Sequence, residues 1–138
     1  MSQTSSSPRR VVITGIGAVS PVGNTAAETW AALSAGRSGI GRITRFDASG
    51  CTAQIAGEVK NFEPAKALPT RLHPRGPGGE PVTAVFNGKD LKKFGRFTHL
   101  GAVAAVEAYA DSGLDAQRAS LDANRMGVNL GVGLGRSE

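Results

Sequence analysis

Val11-Val12-Ile13, a β-branched run with Gly15 and Gly17 close behind it, constrains this chain more than any other stretch. Two γ atoms on each of these side chains crowd a helical turn, so three in succession predict an extended strand. The run is apolar at consecutive positions rather than alternate ones, the pattern of a strand covered on both faces. After the turn Gly17-Ala-Val-Ser-Pro-Val-Gly23, Thr25 and Glu28 stand at capping-box spacing. There the hydroxyl accepts from one free backbone N–H and the carboxylate reaches back to another. A helix is therefore predicted to start at Thr25, with Trp30 and Leu33 on its buried stripe and Gly36 as a left-handed terminator.

Residues 38–47 read as a Gly- and Arg-rich loop, and residues 54–59 as a short strand with Ile55 and Val59 on one face. Five of the seven prolines (Pro64, Pro69, Pro74, Pro77 and Pro81) follow, and residues 65–88 read as a long surface loop with a small hairpin at 82–86. The longest helical pattern runs from Asp90 to Ser112. In it Phe94, Phe97, Gly101, Ala104 and Ala108 recur at spacings of three and four, while Val103 and Val106 widen the apolar face. The small residues in that stripe predict close approach of another backbone. Gly113 with Leu114 predicts a Schellman ending. Residues 126–131 predict a second buried strand, and Gly133 and Gly135 a turn after it. The order strand, helix, short strand, long helix, strand predicts an α/β layered fold, with the two long strands side by side in one sheet.

Glycine, at 19 residues, is nearly twice its usual share of about 7%, and aromatics supply only 5%, so the core must rest on close backbone contact. A net charge of +5 predicts an acidic partner, with nucleic acid one candidate. The basic residues are scattered and no nucleic-acid recognition motif accompanies them, so no nucleic acid is expected. One cysteine excludes an internal disulfide framework and fits a reducing, cytoplasmic setting. No run approaches the ~20 apolar residues that span a bilayer, and no membrane role is expected. Residues 1–8 are polar and read as a disordered leader.

Residues 10–24, running into Glu28 and Trp30, resemble the opening of a β-ketoacyl-acyl-carrier-protein synthase of the elongating, bacterial type II kind. Ala35-Gly-Arg-Ser-Gly-Ile40 with Ile43-Thr-Arg-Phe-Asp47, Ile55-Ala-Gly-Glu-Val59, Lys92-Lys-Phe-Gly-Arg-Phe-Thr98, and Asn124-Arg-Met-Gly-Val128 through Gly135 resemble later segments of that family, in its order. The resemblance implies a thiolase-like layered α/β fold, a mixed sheet with packed helices, of which residues 9–138 would be an incomplete N-terminal portion. It implies an acyltransferase that elongates fatty-acid or polyketide chains by decarboxylative condensation of acyl and malonyl carrier-protein thioesters. Acyl carrier protein is the implied partner, and the full-length enzyme is implied to be a homodimer.

In that family a cysteine thiolate takes the acyl group and two histidines assist decarboxylation. The chemistry needs an activated thiolate at a helix N-terminus and donors aimed at a developing oxyanion. Cys51 lies instead in Ala48-Ser-Gly-Cys-Thr-Ala53, with no helix start behind it. His73 falls in the Pro/Gly-rich loop and His99 on the long helix, where solvation or a hydrogen bond is expected. No catalytic residue is assigned, and the chain alone is expected to be inactive. One cysteine and two scattered histidines have no metal-ligand spacing, and neither metal nor cofactor is expected.

Lys89, Lys92 and Lys93 fall at i, i+3 and i+4 on one face near a helix start, with Arg96 one turn on. The resemblance implies that these four dock the acidic carrier; an ordinary solvated basic face is the plain alternative. Cations at a helix N-terminus oppose its dipole, so either binding is the cause or the helix begins earlier. Gly95 stands where the family carries an aspartate.

Two other functions compete. A non-catalytic module that keeps the synthase fold and binds a carrier stays open. Dinucleotide binding is suggested by Gly15 and Gly17 after a strand, but Ser20 holds the sixth fingerprint position and the helix opens only at Thr25. Arg136-Ser-Glu138 replaces the glycine and helix expected after Gly135, which reads as a truncation.

Overall fold

The computed structural model describes residues 10–68 and 88–133, as backbone only at 88–90, 118 and 123. In chain order these form helix α1 (Ala26–Ser34), strands β1 (Ile40–Arg42) and β2 (Ile55–Gly57), and short helices α2 (Pro64–Ala67) and α3 (Gly88–Lys93). The long helix α4 (Arg96–Asp111) and the short α5 (Leu114–Gln117) follow, then two 3-10 turns. Helix α4 is the spine of this α/β arrangement: α2 lies against both α3 and α4, and α5 folds back from its end.

Local chemistry sets the helix ends. Thr25 Oγ1 accepts from Glu28 N–H at 3.1 Å, and Glu28 Oε2 accepts from Asn24 N–H at 2.8 Å, so the reciprocal arm closes one residue before the cap. At the other end Gly36 has φ 66°. Its N–H bonds to Leu33 C=O and that of Arg37 to Ala32 C=O, each at 2.9 Å, the complete Schellman pair. Gly113 (φ 67°) ends α4 differently. Leu114 N–H donates to Ser112 Oγ at 3.2 Å, and that hydroxyl donates to Tyr109 C=O at 2.7 Å. A side chain relays what is a direct backbone bond after α1.

The tight backbone contact expected from the small-residue stripe is present. A methyl group built on Gly15 would strike Ala108 O and Ser112 N; on Gly17 it would strike Ala104 O and Ala108 N. Among the described residues the buried apolar set is Ala32, Ala48, Leu68 and Val103, a core of small side chains.

Four expectations are corrected. Trp30 and Leu33 are 72% and 57% exposed rather than buried. The inward side of α1 runs through Ala26, Thr29 and Ala32, small enough to let the helix approach its neighbours. The helix predicted from Asp90 to Ser112 breaks at residues 94–95, where Gly95 (φ −67°, ψ 159°) becomes the N-cap of α4. Lys92 and Lys93 therefore occupy the last turn of α3, where cations match the dipole, and the conflict of one continuous helix disappears. Residues 40–42, inside the predicted loop 38–47, form β1, which pairs antiparallel with β2 from Ile40↔Gly57 to Arg42↔Ile55.

Finally, residues 11–13 and 126–131 are not paired strands. A ladder requires a second backbone at hydrogen-bonding distance. Val11, Val12 and Ile13 are instead 92%, 68% and 83% exposed, and Val128 and Leu130 are exposed as well. The leader 1–8, the loop from 69 to 87 with its predicted hairpin, and the turn at Gly135 lie outside the described residues.

Candidate functional site

The predicted basic cluster is divided by the break before α4. Lys92 and Lys93 are exposed on the last turn of α3. Lys89 belongs to the same helix by its backbone, and its side chain lies outside the described set. Arg96 belongs to α4 and is half-buried. Its Nη2 donates to Val59 C=O at 3.0 Å, and its guanidinium carbon lies 5.2 Å from the Phe62 ring centroid. A bond to a carbonyl and a cation–π contact thus tie Arg96 to the connection between β2 and α2.

That connection forms one wall of an open cleft of about 430 Å³, lined by Thr44, Arg45, Glu58, Lys60, Asn61 and Arg96 among others. Glu58 braces it: its carboxylate accepts from Thr44 N–H at 2.9 Å, Thr44 Oγ1 at 2.6 Å and Arg45 N–H at 3.2 Å. The Thr44 hydroxyl, foremost among these donors, holds the Glu58 carboxyl below its ordinary value. Burial, and then the charge of Arg45, lower the pKa of Arg96. Asn61, at φ 53°, is the described non-glycine residue with left-handed backbone.

A second cleft of about 590 Å³ lies between residues 16–18, α1 and α4, walled by Ile16, Trp30, Leu33 and Ala110. At its floor are two carboxylates whose role the sequence reading missed. Glu107 accepts from Ala18 N–H at 2.9 Å and, with its other oxygen, from Ala26 N–H at 2.8 Å in the first turn of α1. Asp111, one turn later, accepts from Ile16 N–H at 2.9 Å. The available signal was two carboxylates four apart beside the Ala104 and Ala108 stripe.

Cys51 is exposed and unbridged in the bend before β2, with no helix starting behind it. His99 Nε2 lies 2.9 Å from Leu91 C=O and joins α4 to α3, the hydrogen-bonded role expected of it. His73 lies outside the described residues. Among the described residues no group of three His, Cys, Asp or Glu side chains could hold a metal ion, and no helix is long and apolar enough to cross a membrane.

Comparison with known proteins matches residues 8–138 to the family model described as "Beta-ketoacyl synthase, N-terminal domain". A 3-oxoacyl-[acyl-carrier-protein] synthase 2 of Coxiella burnetii is 41% identical over 127 residues, covering 92% of this chain and 26% of that protein. Proteins of the same name from Vibrio cholerae and Staphylococcus aureus are 37% and 36% identical, covering 96% and 94% of the chain and 27% of each relative. The chain thus spans about a quarter of the length of the curated relatives it matches. Among solved structures, the ishigamide ketosynthase/chain length factor aligns with a TM-score of 0.57 at 36% identity, over 78% of this chain and 22% of that one.

Proposed function

Because this chain belongs to the β-ketoacyl synthase family and has its thiolase-like α/β fold, we propose that it serves fatty-acid chain elongation by condensation of carrier-bound acyl and malonyl thioesters. The observation that carries the reading is the family match over residues 8–138, at 36–41% identity to relatives named as 3-oxoacyl synthases. In this reading the partner is an acyl carrier protein in the cytoplasm, and the whole synthase works as a homodimer. These residues supply scaffold and a docking face, with Lys89, Lys92, Lys93 and Arg96 as the docking residues. Lys92 and Lys93 support the reading best, being exposed at a helix end whose dipole they match. Arg96 contributes from the cleft beside them.

A second reading is that these residues bind a carrier while Cys51 takes no part in condensation. The thiolate of a condensing enzyme is activated at a helix N-terminus, and Cys51 sits in a bend without one. One experiment addresses both. Immobilised acyl carrier protein is expected to capture the chain in low salt. The double reversal Lys92→Glu with Lys93→Glu is expected to weaken capture at least tenfold, a change of ~1.4 kcal/mol. Equal capture of the reversed variant would remove the lysines from the docking face. Incubation with acyl and malonyl carrier is expected to yield neither acylated Cys51 nor condensed product.

A further inference from the structure

We infer that the cleft between the β2–α2 connection and the start of α4 is a binding site for a phosphomonoester, held between Arg45, Lys60 and Arg96. The site shares Arg96 with the proposed docking face but not the lysines of α3, and it does not depend on the condensation reading.

Charge is the first argument. The cleft gathers three cationic residues, Arg45, Lys60 and Arg96, and two carboxylates, Glu58 and Glu63. Glu63 is matched outside this count by Lys66, at 2.7 Å. Among the described residues that is the one ion pair, so neither guanidinium has a described carboxylate within salt-bridge distance. Glu58 spends both oxygens on Thr44 and on the backbone of Arg45, bracing the wall rather than neutralising Arg96. Three cations against one remaining carboxylate leave an excess of two, which a phosphomonoester matches with its −1.5 to −2 charge at about pH 7. A single carboxylate would leave half of it unmet.

Preorganisation is the second. Val59 C=O and the Phe62 face fix the Arg96 guanidinium, and its remaining N–H donors keep a planar fork suited to phosphate oxygens. Less freedom is lost on binding when the donor is already held. Arg45 lies near enough to disfavour the charge on Arg96, and an anion between them would turn that repulsion into two attractions.

The test is a titration of the chain with inorganic phosphate, and separately with a phosphoserine peptide, at ionic strength held constant with chloride. Arginine Nε–Hε resonances report the outcome. Saturable shifts of Arg45 and Arg96 are expected, with a Kd on the order of 1 mM for phosphate. Binding is expected to tighten as pH rises through about 6, where the second phosphate proton leaves. Tighter binding of the peptide identifies a phosphorylated protein as the source, and equal or weaker binding a free phosphate ester. Arg45→Gln is expected to weaken binding about tenfold while preserving the fold, because among the described residues Arg45 is bonded through its backbone N–H alone. Lys60→Gln serves as a second variant if that one fails to fold, and Lys92→Glu should change nothing. Absence of saturation, an unchanged Kd in the folded Arg45→Gln chain, or equal weakening by Lys92→Glu would each overturn the site.

Discussion

Residues 11–13 and residues 14–18 are neighbours in one apolar stretch of the chain, yet their fates differ. The first run leaves Val11, Val12 and Ile13 facing solvent. The second lies against α4 so closely that Gly15 and Gly17 have no room for a methyl group, with the Ile16 and Ala18 N–H groups bonded to Asp111 and Glu107. Hydrophobicity does not separate them, since the more apolar run is the one left open. A counterpart does: α4 offers a strip of small residues and carboxylates spaced one turn apart to one segment, and nothing among the described residues offers a ladder to the other.

The largest effect should come from removing the steric half of that match. Gly17→Ala places its Cβ against the Ala104 carbonyl, backbone on both sides, so neither partner can swing away. We expect a loss near 3 kcal/mol, the upper part of the range for overpacked sites, read as a lower denaturation midpoint. Gly41→Ala is the control: a Cβ there meets nothing within 4 Å, and stability should hold or rise by about 0.4–1 kcal/mol. Equal behaviour of the two variants would break the comparison.

The polar half should matter less. Glu107→Gln keeps the shape of the side chain but replaces one acceptor oxygen with an NH2 group, facing either Ala18 N–H or Ala26 N–H. One donor is then left without its partner, at a cost of about 1–3 kcal/mol, lower in that range because the site is only part-buried. Hydrogen exchange should speed at Ala18 and Ala26 while remaining unchanged in β1 and β2. Uniform acceleration would show that Glu107 supports the whole chain rather than this seam.

What was legible in the sequence divides along the same line. Thr25, Glu28 and Gly36 act within one helical turn, and their types and spacing specify their bonds. Gly113 marks the end of α4 correctly, but the Ser112 hydroxyl supplies the bond that a Schellman pair would make. The alanine stripe of α4 announced a close backbone but not which one. Trp30 was misread because α1 carries apolar residues on two sides, and periodicity cannot tell which side meets a neighbour. The break at Gly95 was hidden because glycine is tolerated inside helices, and only an N-cap geometry reveals its role. The cationic cleft was invisible for another reason: Arg45, Lys60 and Arg96 converge only once the chain turns at Asn61 and Arg96 reaches back to Val59. Element order predicted that residues 11–13 and 126–131 lie side by side in one sheet, whereas the sheet among the described residues is β1 with β2.

The smallest effect tests the open side directly. Val12→Thr exchanges a methyl group for a hydroxyl of nearly equal size on a side chain that is 68% exposed. In a buried strand that swap is not conservative, because the hydroxyl needs a partner. On an exposed one it should fall within about 0.5 kcal/mol of the parent. The measurement is thermal unfolding at two protein concentrations tenfold apart. A small shift at both leaves residues 11–13 uncovered, as the contrast with residues 14–18 requires. A loss that grows with concentration would mean that copies of the chain cover one another through this run, since association makes apparent stability depend on protein concentration. A large loss independent of concentration would place residues 11–13 in the core, and the contrast between the two segments would then collapse.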